Sequence, residues 1–374
     1  MIGRTEFDRD NGIDLERYKY ALESVELRVG KRSTEAITVR AAQDFDAFYA
    51  DRKIAANDTL LPSALLVLSS DSKGITMRPE SLRDAMRKEA EAASVVAVRG
   101  DPMAEKKLRK HDKRMAIVTA VWEQEPRART ADDIVENLQG RRGSAPPHKK
   151  TAAPKLHNKR IWASVEKSQA TGIAEMFDEA DRRDPNQSRP TVVLVDGEER
   201  QIEAIQAQAL ARDRPITIVL DVIHVLHYLW LAAIALCDKD PARSEAWVAK
   251  YLLKLLTRPA LDVVAGIRQP ATIRGLTEEQ RRPVEKCAEY LLKNAHHIRY
   301  SEFLARGFPI ATGVIEGACR HLIQDRLGIT GARWNIAGAE AVLRLRALRS
   351  SGDWVSYWTY HLGRESTRNY AEAA

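Results

Sequence analysis

"PTVVLVDGEERQIEAIQAQALARDRPITIVLDVIHV", residues 190–225, holds two apolar, β-branched runs on either side of a segment with helical spacing. The first run, 190–198, reads as a buried strand closed by a turn at Asp196-Gly197. Residues 198–213 read as a helix, and 215–225 as a strand running into the next helix. Strand, helix and strand in succession suggest a parallel or mixed sheet covered by helices. Working outward, "ALLVLSSDSKG" (64–74) predicts a strand followed by a turn, and 114–125 and 159–168 predict two more strands. Residues 13–57 and 172–183 have helical spacing.

Downstream the pattern changes. No strand is evident over 225–300, and "SEAWVAKYLLKLLT" and "VEKCAEYLLKNAHHI" repeat at three and four residues, as an all-helical insertion would. Thr277 and Gln280 have capping-box spacing, although Pro283 falls inside the helix they would start. Residues 311–350 return to helix, glycine-rich turn and helix. The chain therefore divides into a helical segment at 1–60, a sheet-bearing core at 61–224, a helical insertion at 225–310, the rest of the core at 311–350 and a tail at 351–374.

Composition narrows the classes. The 374 residues carry 59 basic and 52 acidic side chains, a net charge of +7 that is compatible with nucleic acid without requiring it. Cys237, Cys287 and Cys319 lie far apart, so a disulfide framework or a four-cysteine zinc site is not expected. The first residues hold no apolar run of signal-peptide type. The longest apolar stretch, 222–237, is too short for a membrane and contains two histidines. A reduced, cytoplasmic setting without membrane attachment is expected. The segment 141–160 holds Arg141, Arg142, Lys149, Lys150, Lys159 and Arg160 with no acid and reads as a basic loop or a solvated linker.

Three carboxylates stand out. Asp71 and Asp196 each follow an apolar run, where open α/β sheets place their sites, although an Asp before Gly is also ordinary turn chemistry. Glu316 is the one acid in the first half of "ATGVIEGACRHLIQDRLGITGARW" (311–334) and is trailed by Arg320, Arg326 and Arg333. Thr312 can cap a helix there. Apolar ridges at Val314/Ala318/Leu322 and Ile315/Cys319/Ile323 predict that Glu316 turns toward the sheet. Arg320 at i+4 is its alternative partner. Asp221 and His224 lie within one turn at a helix start, where a capping role competes with a site role.

Two aspartates after strands and a late glutamate on a helix resemble the DDE triad of ribonuclease H-like transposases. More closely, "RAAQDFDAFYADR", "LSSDSKGITM", "LDVIHVLHYLW" and "GVIEGACRHLIQDRLGITGARW" resemble the ISKra group of insertion-sequence transposases, over about residues 30–350. The resemblance implies a ribonuclease H-like mixed sheet flanked by helices, with an all-helical insertion before the glutamate. It makes Asp71, Asp196 and Glu316 the catalytic metal ligands, and Asp221 with His224 an accessory pair like the Cys/Asp-x-x-His element of related transposases. Ser72 stands where the pattern expects glycine. No Cys-rich or helix-turn-helix segment precedes the central region, which leaves open a chain without the family's amino-terminal DNA-binding part.

On this reading two Mg²⁺ ions, with Mn²⁺ able to substitute, would sit roughly 3.5–4 Å apart and serve water attack and strand transfer. The DNA partners would be transposon ends and target, bound by a homodimer or larger assembly at the nucleoid. The basic loop, Arg320, Arg326 and Arg333 would meet phosphates. Trp334 would pack in the core or stack on a base. A metal-dependent nuclease of the same fold that cuts without joining, and an inactive DNA-binding derivative, are the alternatives. No dinucleotide fingerprint or P-loop follows any strand.

Overall fold

The computed structural model describes residues 31–52, 64–84, 86–89, 112–140, 154–329 and 331–370. Five strands, β1 (Leu65–Thr76), β2 (Lys113–Gln124), β3 (Leu156–Ser164), β4 (Thr191–Val195) and β5 (Ile216–Leu220), form one mixed sheet in the order β3-β2-β1-β4-β5. β1, β2 and β3 pair antiparallel, whereas β4 runs parallel to both β1 and β5. β1 is central, and Leu65 to Leu68 are fully buried because both neighbours and both faces are covered.

β1 continues past the expected turn. Gly74 pairs with Met115, and the antiparallel ladder with β2 runs on to Thr76–Lys113. The polar run at 69–73 reflects partial exposure, not chain reversal: β2 goes on supplying hydrogen bonds after β4 has ended. Pairing with β4 stops at Ser69–Leu194. Asp71 thus lies inside a strand, just beyond its parallel neighbour.

Helix α1 (Lys31–Ala42) and helix α2 (Phe45–Asp51) precede the sheet, and α3 (Ala131–Gly140) follows β2. Helices α4 (Gln169–Arg183) and α5 (Glu199–Ala211) cover one face: a Cβ at Gly172 would stand 2.7 Å from Ile117, and Gln201 donates to the Ser70 carbonyl at 2.8 Å. Asp71 and Val118 are register partners on the opposite face, because successive strand residues alternate.

From Val222 to Ala305 the chain is helical: α6 (Val222–Leu236), α7 (Pro241–Thr257), α8 (Ala260–Ile273), α9 (Glu278–Lys293) and α10 (Tyr300–Ala305). α6 packs between α7 and α9. The Thr277–Gln280 capping box is formed, and Pro283 is accommodated within α9. These helices share one continuous apolar core with the sheet. Among the described residues no helix is long and apolar enough to cross a membrane.

The chain then forms α11 (Gly313–Ala318), a π-helical turn (Cys319–Gln324), α12 (Asp325–Leu327), α13 (Ile336–Ser351) and α14 (Trp354–Tyr370). The last of these corrects the expected tail. α14 docks against α2, where buried Asp44 accepts from His361 at 2.7 Å and also pairs with Arg364 and Arg368.

Candidate active site

The crevice lies where β4 ends beside β1. Asp196 follows Val195 directly, and its carboxylate accepts the Glu198 amide at 3.0 Å. The turn chemistry expected of this aspartate is therefore present. Gly197 has φ +94°, and a Cβ there would stand 3.0 Å from the Tyr290 ring, so glycine lets α9 come this close. Tyr290 donates to the Asp196 carbonyl at 2.6 Å and stacks on Tyr228 at 4.0 Å. The helical insertion thereby braces this aspartate.

Asp221 caps α6 and is fully buried. One carboxylate oxygen accepts from the Ile223 amide at 2.9 Å and the Thr312 amide at 3.3 Å. The other accepts from His224 Nδ1 at 3.1 Å and from the Thr312 hydroxyl. The Asp221 amide donates to Val195 at 2.8 Å, and the Val222 amide donates to Ile310 at 2.9 Å. Asp221 thus joins the end of β4, the start of α6 and the approach to α11. The capping reading of Asp221 is borne out, and the same carboxylate lies beside His224 and Glu316. Thr312 does not cap α11 with its side chain; that hydroxyl is spent on Asp221.

Glu316 departs from expectation. Ile315, Ala318, Cys319, Leu322 and Ile323 form the buried stripe, and Glu316 lies on its flank, exposed at the rim. Its carboxylate still reaches inward: ligand atoms of Asp221, His224 and Glu316 lie within 4.8 Å of one another. Loss of solvation and then the Asp221 charge raise its pKa, with a smaller push from Asp71. Arg320 is not its partner; Arg320 pairs with Asp325 at 3.7 Å, as does His321 at 3.1 Å.

Burial raises the pKa of Asp196, and the charge of Asp71 adds to this. The hydrogen bond to Asp221 raises that of His224, helped by the charges of Asp221, Asp196 and Glu316. Asp71 accepts a hydrogen bond from the Cys319 thiol at 3.2 Å, which ties β1 to the π-helical turn. The fold therefore gathers Asp71, Asp196, Asp221, His224 and Glu316 into one electrostatic cluster. Sequence reading placed Thr312 as a helix cap and Cys319 on an apolar ridge without foreseeing their bonds to Asp221 and Asp71, and it passed over Lys73, whose charge acts on Glu316. Lys73 was findable by strand alternation, two residues beyond Asp71, had β1 been continued.

The basic candidates scatter. Arg141, Arg142, Lys149 and Lys150 lie outside the described residues. Arg160 is committed to the protein itself, paired with Glu179 and stacked over Tyr49 at 3.8 Å, so the expected phosphate contact is corrected there. Its neighbour Lys159 is half-buried, and Arg333 is exposed. Arg326 lies over Trp334 at 5.4 Å, and Trp334 bridges to Met77 through its backbone.

No family model, curated protein or solved structure matches the chain.

Proposed function

We propose that the protein is a DDE-type transposase that cuts DNA ends and joins them to a target with the help of Mg²⁺. The observation that carries this reading is the meeting of Asp221, His224 and Glu316, whose ligand atoms lie within 4.8 Å of one another, with the charges of Asp71 and Asp196 felt at the same groups. A mixed sheet flanked by helices, with helical elements between Asp221 and Thr312, is compatible with the ribonuclease H-like arrangement that the sequence resemblance implies. The donor set suits a hard divalent cation, because carboxylate oxygens dominate it. Asp71, Asp196 and Glu316 would hold the metal, whereas Asp221 is already saturated by protein donors.

When bound, Mg²⁺ would supply charge relief on the phosphodiester and a nucleophilic water at neutral pH. The chain's own residues do the positioning. Asp221 orients His224 through Nδ1 and leaves Nε2 free of that bond. Thr312 fixes the start of the Glu316 helix, and the Cys319 thiol restrains Asp71.

The test is metal-dependent cleavage and strand transfer on a DNA end, together with Mn²⁺-induced thermal stabilisation. Asp71→Asn, Asp196→Asn and Glu316→Gln should each abolish both reactions and weaken the stabilisation. Wild-type cleavage by Glu316→Gln would sink the assignment, and cleavage without joining would favour a nuclease.

A further inference from the structure

Toward the far end of β2 the balance of charge reverses. Glu123 lies five residues along the strand from Val118, the register partner of Asp71, or roughly 17 Å at about 3.4 Å per residue. Beside it a pocket of about 360 Å³ opens between β3, the end of α4, the residue after α2 and the junction of α13 and α14. Five cations line it: Arg52, Lys159, Arg160, Arg182 and Arg183. Only three carboxylates face them, from Glu123, Glu179 and Asp353, which leaves an excess of two positive charges.

The pairing is correspondingly crowded. Buried Glu179 is shared by Arg160, Arg182 and Arg183, the last at 2.6 Å. Glu123 lies 3.5 Å from Arg183 but is also claimed by Arg189 at 2.8 Å, from outside the pocket. Asp353 pairs with Arg52 at 2.6 Å and accepts from the Tyr49 hydroxyl at 2.8 Å. Acids next to the pocket do not relieve the excess. Asp46 pairs with Arg344 at 2.9 Å, Glu175 with Lys167 at 2.6 Å and Asp178 with Arg212 at 2.6 Å. Burial, and then the charges of Arg160, Arg183 and Arg52, lower the Arg182 pKa to about 10.

Sheltering unmatched charge of one sign is unfavourable unless a counter-charge answers it. Arg160 and Arg183 are spent on the protein, Arg183 donating to the Asn158 carbonyl at 2.5 Å. Arg52 and Arg182 are more exposed, and an arginine carries five donors, more than their bonds to the protein use. Lys159 has no acidic partner among the described residues. A metal cation would be repelled here. A carboxylate would bring one negative charge, whereas a phosphomonoester brings close to two at neutral pH, with three acceptor oxygens. The volume suits a small ligand.

We propose that this pocket binds a phosphate dianion, as free inorganic phosphate or as the phosphomonoester group of a small metabolite, with its oxygens on Arg52, Lys159 and Arg182. The site is separate from the carboxylate crevice and does not rest on the reading of that crevice.

The experiment is isothermal titration calorimetry in HEPES with EDTA at fixed ionic strength. Inorganic phosphate, adenosine monophosphate and dimethyl phosphate are titrated in turn. Phosphate should bind roughly tenfold more tightly than dimethyl phosphate, a diester with a single charge, the scale of one charge-assisted hydrogen bond. Tighter binding of the nucleotide than of phosphate supports a metabolite as the source; binding of phosphate alone supports the free ion. Lys159→Gln removes no ion pair, so it should weaken phosphate binding roughly tenfold and leave the urea midpoint unchanged. Arg182→Gln should weaken binding at least as much, and Glu316→Gln should not change it. Absence of phosphate binding overturns the proposal, as does equal binding of dimethyl phosphate. An affinity unmoved by both Lys159→Gln and Arg182→Gln also overturns it, and so does a loss in Glu316→Gln, which would put the anion in the crevice.

Discussion

Asp221 has no exposed surface, yet its carboxylate is matched oxygen by oxygen to protein donors. Burying such a group is tolerable only on those terms. Asp221→Ala would leave the Thr312 amide and hydroxyl without their acceptor, and should cost about 1.5–3 kcal/mol in urea unfolding. Thr312→Ser should retain most of that stability, and Thr312→Val should not. If Asp221→Ala unfolds like the wild type, the buried bonds carry no net weight. At this scale the sequence showed which residue types were unusual but not their depth. Glu316 read as inward because ridge spacing locates a stripe to within one residue, whereas a flank position at its edge proved exposed. Asp221 read as ambiguous because its deciding partner, Thr312, is remote in sequence.

Among the elements, strands and helices with clear period were legible: β2, β4, α4 and α5 lie within a few residues of their expected bounds. β1 was cut short because polar residues and Gly74 resemble a turn when the antiparallel partner is unseen. α14 was missed because its docking depends on Asp44, in a different part of the chain. Burial would push the Asp44 pKa up, but hydrogen bonds from Arg368 and His361 outweigh it and leave it below the ordinary carboxylate range. A depressed pKa stabilises the fold above the unfolded value, near 3.8, and that contribution fades as pH falls through the folded value. Asp44→Asn should therefore lower the melting temperature near neutral pH. Its deficit should shrink as the solution is acidified below about pH 4. A deficit constant with pH would assign the loss to packing. Gly197→Ala should cost about 1 kcal/mol or more, from left-handed strain and the crowded Tyr290 ring, read as a drop in urea midpoint.

For the whole molecule, a net charge of +7 sets the expectation for long-range attraction to polyanions. Replacing Arg141, Arg142, Lys149 and Lys150 with Gln should weaken DNA binding alike for all sequences. The slope of log K against log salt should fall by up to about 0.9 per lost duplex contact. An unchanged slope in a salt titration would mark the segment as a solvated linker. The mixed sheet was foreseeable from strand and helix alternation, since each element carries its own period. The meeting of Asp221, His224 and Glu316 was not foreseeable from local pattern alone. It depends on contacts spanning most of the chain, such as Cys319 to Asp71.

The bond between Asp221 and Thr312 also has a mechanical meaning. The two residues bracket about 90 positions of chain, yet they touch. Tension applied at the two ends of the protein would pass across that staple and bypass the helices between. Those helices are then hidden length. In an optical trap they should stay slack-free until the staple ruptures, and only then release roughly 300 Å of contour at about 3.5 Å per residue.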